Sequence, residues 1–259
     1  MAEKYMLIGC EILFREICLC AARSKNIIDL EFLEKGLHDK GEKKMSEALQ
    51  KAIDRVDTTK YSAILLGYCL CNNGIRGLRA RIPMVVPVAH DCVTLFMGSK
   101  EKYMDYFQNN PGTFFMASGW LERTPSDDFS EDGIMSQLGL RSNRDYESYA
   151  EEFGDDNAEF LMEMLGNYLK NYRKIAYIDT GVGDSAAFEA MSIADAQEKN
   201  LQYEKLKGDI SLIQKLMDGD WNENDFLEIP PGNEIICTFD GSIISCKPVQ
   251  CMQCETGAR

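Results

Sequence analysis

Ser62-Ala63-Ile64-Leu65-Leu66-Gly67-Tyr68-Cys69-Leu70-Cys71 is the stretch on which the fold turns. Its apolar half, residues 62–67, is too short for a helix and has no polar alternation, so it reads as a strand buried on both faces. A glycine ends the strand, and two thiols follow. Two neighbouring stretches repeat the pattern. Residues 5–9 (YMLIG) form an apolar run that leads into Cys10, and residues 83–88 (PMVVPV) lead into His90-Asp91-Cys92. The prolines of the latter suggest a sheet edge or the ends of a strand.

Helical periodicity fills the gaps between these runs. Residues 11–23 carry apolar side chains at helical spacing, residues 27–32 read as another strand, and residues 43–56 place Met45, Ala48, Leu49, Ala52 and Ile53 on one helix face. Residues 74–78 are expected to open a small helix, and 94–107 a longer one. The alternation then continues. Strands are expected at 114–117, 174–179, 201–206 and 226–229, and helices at 146–172, 185–199 and 210–217. Residues 119–142, rich in Gly, Asp and other polar residues, read as a loop or lid. Asp240-Gly241 is the turn of a hairpin between 235–239 and 242–245.

Alternation of strand and helix implies an α/β fold with mainly parallel sheets covered on both faces. Two runs of it predict two Rossmann-like lobes: residues 1–118 with the Cys/His site, residues 119–235, and a hairpin with a cysteine-containing tail at 236–259.

Composition narrows the function. With 259 residues and 45% apolar side chains the chain can bury a proper core. A net charge of -14 speaks against partnership with nucleic acid or an anionic membrane. Residues 1–9 hold no charged leader with a long apolar run, and no stretch reaches the roughly 20 apolar residues of a bilayer span, so a cytoplasmic location is expected. Ten cysteines in a reducing compartment are either small buried hydrophobes or ligands and redox groups. Their number suggests a strongly reducing cell. Histidine is limited to His38 and His90.

An open α/β sheet collects ligands at the carboxyl ends of its strands. Cys10, then Cys69 and Cys71, then His90, Asp91 and Cys92 each follow a predicted strand, and parallel strands bring all three segments to one edge. Cys10, Cys71, His90 and Cys92 are therefore the candidate metal ligands. Zinc suits a set of thiolates with an imidazole, and so does an iron–sulfur cluster. His90 and Asp91 are the candidate catalytic pair. If Cys92 is a ligand, period-two alternation turns His90 to the same pocket and Asp91 away from it. Asn72-Asn73-Gly74 is a candidate cofactor-binding turn with backbone N–H groups for an anion. The competing reading of each cysteine taken singly is a packing residue. Cys18 and Cys20, in mid-helix, are read that way. Thr180-Gly181-Val182-Gly183-Asp184 follows a strand but lacks the full dinucleotide fingerprint. Cys251 and Cys254 form one CxxC in the tail, a candidate separate zinc or redox site.

Residues 10–16 (CEILFRE), 67–74 (GYCLCNNG) and 87–99 (PVAHDCVTLFMGS), with 111–115 (PGTFF), Gly119-Trp120, Asp220-Trp221 and 230–232 (PPG), resemble the family called domain of unknown function 1638. The likeness covers roughly residues 5–235. The family pattern has glycine at the position of Cys69 and arginine at that of Val88. Its members occur in anaerobic bacteria and methanogens, often beside corrinoid-dependent methyltransferases. The resemblance thus implies corrinoid-linked methyl transfer: a methyltransferase or accessory protein working beside a corrinoid protein, with a small thiol or methyl donor as substrate. There Glu11 and Asp91 would orient the ligands. The alternative is a non-catalytic cobamide or metal chaperone, in which His90 ligates cobalt.

Overall fold

The computed structural model describes residues 2–123, 154–155, 171–238 and 241–249. The larger sheet is built from the apolar runs that open the chain. Strands β1 (Lys4–Cys10), β2 (Ile27–Leu33), β3 (Ala63–Gly67), β4 (Met84–Pro87) and β8 (Phe226–Ile229) lie in the order β2-β1-β3-β4-β8. The first four run parallel, with Gly9 opposite Gly67 and Ile64 opposite Met84, whereas β8 runs antiparallel to β4. Every residue of β3 and β4 is buried, as a strand covered on both faces requires. Pro87 closes β4 and Pro83 precedes it. The prolines mark the strand's ends, while β4 itself lies inside the sheet.

A second sheet of three parallel strands holds β5 (Thr113–Ala117), β6 (Lys174–Asp179) and β7 (Gln202–Lys207) in sequence order. The fold is thus α/β with mainly parallel sheets. The chain leaves the first sheet after β4, builds the second, and returns to the first as β8. The hairpin β9 (Asn233–Cys237) with β10 (Ile244–Pro248) follows. One core runs under the larger sheet and takes in Ala117 and Ile178 from the smaller one. A separate small cluster gathers Met116, Leu121, Ile175, Tyr177 and Ala196.

The helices cover the sheets by their apolar faces. A short 3-10 turn, Glu11–Leu13, leads into α1 (Phe14–Arg23), which buries Ile17 and Cys20, and α2 (Glu42–Asp54) buries Met45, Leu49, Ala52 and Ile53. The helix expected over 94–107 is two helices, α3 (Cys92–Met97) and α4 (Lys100–Asn109). Gly98 separates them at φ +78°, and a Cβ there would stand 2.6 Å from the Asp209 side chain. Ser99 then caps α4 by accepting from the Lys102 amide at 3.1 Å. The small helix expected at 74–78 is a turn. Further along are α5 (Ser118–Glu122), α6 (Ser185–Glu198) and α7 (Ser211–Asp218). Most of the expected loop at 119–142, nearly all of the helix expected at 146–172, Asp240, and the tail cysteines Cys251 and Cys254 lie outside the described residues. Among the described residues no helix is long and apolar enough to cross a membrane.

Candidate functional site

The parallel register sets the site. Because Gly9 pairs with Gly67, Cys10 and Tyr68 leave neighbouring strands side by side. Both glycines are required there. A Cβ on Gly67 would lie 3.1 Å from the Gly9 Cα, and on either glycine would meet the Ile17 side chain at 3.0 Å or less. Their absence of side chains lets α1 lie close against the strand ends. Beyond β3 the chain stays paired with the segment after β4: the Leu70 amide donates to the Ala89 carbonyl at 3.0 Å and the Cys71 amide to the His90 carbonyl at 2.9 Å. Three strand exits are thereby held together.

They enclose a cavity of about 130 Å³, whose walls include Cys10, Cys71, Asn72, Asp91 and Cys92, with Tyr68, Ile12, Leu37 and Met45 supplying apolar surface. Burial pushes the Cys10 thiol up to about 12, and the nearby Cys71 sulfur adds to the effect. Cys92 keeps some exposure as a residue, but enclosure of its sulfur, with Cys71 and Asp91 beside it, raises its thiol well above the ordinary range. Cys69 is fully buried, and its thiol is raised by that burial and by Cys71. The physical causes are shared: burial disfavours the thiolate in each case, and repulsion between neighbouring sulfurs adds to it. Tyr68 is 3% exposed, and its hydroxyl is close enough to perturb Cys10 yet makes no well-formed hydrogen bond.

The turn after Cys71 carries an unusual backbone. Cys71, Asn72 and Asn73 have φ of 44°, 56° and 65°, three successive residues in the left-handed region. The cost of about 1–2 kcal/mol falls mainly on Cys71, since asparagine tolerates this region. The turn is held by the Gly74 amide on the Cys71 carbonyl at 3.1 Å, the Arg76 amide on the Asn73 carbonyl at 3.0 Å, and the Cys237 thiol donating to Asn73 Oδ1 at 3.4 Å. Of the candidate anion-binding turn, Asn72 therefore faces the cavity, Asn73 is tied to β9, and the Gly74 amide is already used.

Asp91 has a defined structural task. Its Oδ1 accepts from the Val93 amide at 3.0 Å, capping α3, and its Oδ2 accepts from the Tyr103 hydroxyl at 3.0 Å. Burial raises its carboxyl, which those bonds partly oppose. His90 is exposed, and it is Asp91 and Cys92 that line the cavity. Helix α3 begins at Cys92, so the period-two alternation that would pair His90 with Cys92 stops one residue too early. Glu11 accepts from the Lys35 amide at 3.2 Å and faces Arg123 at 3.9 Å. Cys18 and Cys20 lie on α1, Cys20 fully buried.

Among the described residues no three His, Cys, Asp or Glu side chains form a ready-made coordination shell. The structure brings the three thiols of Cys10, Cys71 and Cys92 to one cavity but leaves His90 outside it. Sequence reasoning did not single out Tyr68. The signal was its place one residue beyond the glycine of a buried strand, directly across from Cys10.

The model of the family described as "Protein of unknown function (DUF1638)" matches residues 32–217. The chain belongs to this family. The matched span contains Cys71, His90, Asp91 and Cys92 and begins beyond Cys10. No curated protein and no solved structure matches the chain.

Proposed function

We propose that the cavity at the carboxyl edge of the larger sheet takes one soft metal ion, zinc in the first place, through Cys10, Cys71 and Cys92, in a protein of corrinoid-linked methyl transfer in a reducing cytoplasm. One observation carries the reading: three cysteines from three separate strand ends line one small cavity. The donor chemistry fits a soft divalent ion, since a cation offsets the burial and the repulsion that favour the neutral thiols of Cys10 and Cys92. Size favours an ion over a large cofactor. A cavity of about 130 Å³ is well below the roughly 300–1,000 Å³ that holds a drug-sized ligand, so a corrin ring belongs on a partner. A bound zinc ion lowers the pKa of a thiol substrate that joins it and presents the thiolate to a methyl donor.

The chain's own residues supply the setting. Ile12, Leu37 and Met45 limit water in the cavity. Tyr68 offers a hydroxyl beside the Cys10 sulfur that has no competing partner among the described residues. Asp91, fixed by Val93 and Tyr103, holds the start of α3 and hence Cys92 in place. Exposed His90 favours a second reading, a carrier or chaperone for a metal or cobamide, because its imidazole is free to meet a group borne by a partner.

Anaerobic purification followed by zinc, iron and sulfide analysis tests the site. About one metal per chain is expected, lost in Cys10→Ser, Cys71→Ser and Cys92→Ser. A folded, metal-free protein whose three thiols are all freely alkylated would overturn it. Turnover with a methyl donor and a thiol acceptor then distinguishes enzyme from carrier.

A further inference from the structure

The carboxyl edge of the smaller sheet holds a second cavity, of about 490 Å³, that shares no lining residue with the thiol site. We propose that it binds the phosphate group of a small organic phosphate monoester.

Its place follows the rule for parallel sheets. Strand β6 ends at Asp179, the turn Thr180-Gly181-Val182-Gly183 follows, and the 14-residue helix α6 begins at Ser185. The backbone at this turn is open. Gly181 has φ +70°, and a Cβ there would meet nothing within 4 Å. The opposing turn comes close only because Gly208 lacks a side chain, which would otherwise stand 2.9 Å from the Asp179 carbonyl and the Thr180 Cα. The Val182 amide has no partner among the described residues, whereas the Gly181 amide is bonded to Asp179 Oδ1 at 2.8 Å.

Charge points the same way. In a chain of net charge -14, three cations from three elements meet at this cavity: Arg23 at the end of α1, Lys102 on α4 and Lys207 at the end of β7. Lys102 is paired with Asp209 at 2.7 Å. Arg23 and Lys207 have no ion pair among the described residues. Asp209, the one acid in the lining among the described residues, is balanced by Lys102 and by the Ser211 amide at 2.9 Å. The cavity therefore holds positive charge uncompensated among the described residues, and phosphate is an anion that arginine, lysine and backbone amides bind well together.

The cleft is also preformed. The Gly208 amide donates to the Asp179 carbonyl at 2.8 Å, and the Asp209 amide to the Phe96 carbonyl at 2.8 Å. Thr180 Oγ1 donates to Glu16 Oε1 at 2.7 Å beneath the turn. Leu19 and Ile210 add apolar wall beside the cations. The volume lies within the range of small-ligand sites and exceeds what phosphate alone occupies, which leaves room for an organic group.

Calorimetric titration of the full chain with inorganic phosphate, ribose 5-phosphate and adenosine monophosphate tests this. At least one ester is expected to bind more tightly than inorganic phosphate. Arg23→Gln and Lys207→Gln should each weaken it about tenfold or more, the scale of a lost charge-assisted hydrogen bond. Both side chains are exposed and have no ion pair among the described residues, so their replacement should leave the melting temperature unchanged. Lys43→Gln, a surface control, and Cys10→Ser should not alter the titration, which keeps this cavity independent of the thiol site. The proposal is overturned by absence of saturable binding up to about 10 mM, by affinity indifferent to both variants, or by inorganic phosphate binding as well as every ester.

Discussion

Replacing Gly119 by alanine tests how tightly the first strand exit is held. Gly119 lies in α5 against the turn that follows Cys10. A Cβ there would stand 1.7 Å from the Ile12 carbonyl oxygen, 2.6 Å from its carbon and 3.1 Å from its Cα. All three atoms are backbone, so no rotamer change relieves the clash. Real Cβ atoms essentially never come within 3.0 Å, so α5 and the 3-10 turn must separate by about 1.3 Å. Overpacking of a core costs typically about 1–3 kcal/mol, and a backbone overlap of this depth belongs at or above the upper end. For a chain of this size that is a fall in melting temperature of roughly 6 °C or more. Ile12 lines the thiol cavity, so Cys10 should also alkylate faster. Gly74→Ala is the informative comparison. Its Cβ would stand 2.1 Å from the Met45 sulfur, but a methionine tip can swing, so the loss should be smaller. Scanning calorimetry and timed alkylation read by mass spectrometry give both results. Gly119→Ala melting within about 2 °C of the parent, with unchanged Cys10 reactivity, would refute the packing argument.

Three further outcomes are expected. Metal affinity should rise with pH across the neutral range, with about one proton released per ligand thiol, because the Cys10 and Cys92 thiols are raised; a pH-independent affinity would exclude them as ligands. Glu16 is 1% exposed, its Oε2 has no partner among the described residues, and burial raises its carboxyl. The unfolded carboxyl ionises first as pH rises, so stability is lost from the ordinary carboxylate range upward through the raised one. Glu16→Gln should therefore match the parent in acid and melt higher at pH about 8, and equal melting at both would refute this. Deleting residues 250–259 should leave metal content unchanged in elemental analysis, whereas a loss would assign a ligand role to Cys251 or Cys254.

Much of the fold was legible because local and global demands agree. Residues 5–9, 63–67 and 175–178 are apolar without alternation, and all three lie in largely buried parallel strands. The three thiol-bearing exits could be placed at one edge because only the direction of the strands mattered. What was illegible depended on distant contacts. The helical period of 94–107 runs straight through Gly98, and it is Asp209, far along the chain, that makes a glycine turn necessary there. The side of the chain on which His90 lies depends on Asp91 acting as a helix cap, which converts an extended segment to a helix at Cys92. The left-handed turn could be suspected from Asn-Asn-Gly, but not that Cys71 would share it. Nothing local assigns residues 226–229 to the first sheet, since their partner is β4.

That last pairing bears on how the chain is made. Met84 of β4 bonds to a strand containing Ile229, and the intervening chain builds the other sheet. A ribosome adding about 5–20 residues per second takes roughly 7–30 s to cover that interval. Throughout it, β4 offers an unpaired, wholly apolar edge, the kind of template on which nascent chains join one another. Slowing elongation between β4 and β8 should therefore lower the soluble yield, and holding factors that bind extended apolar segments should restore it.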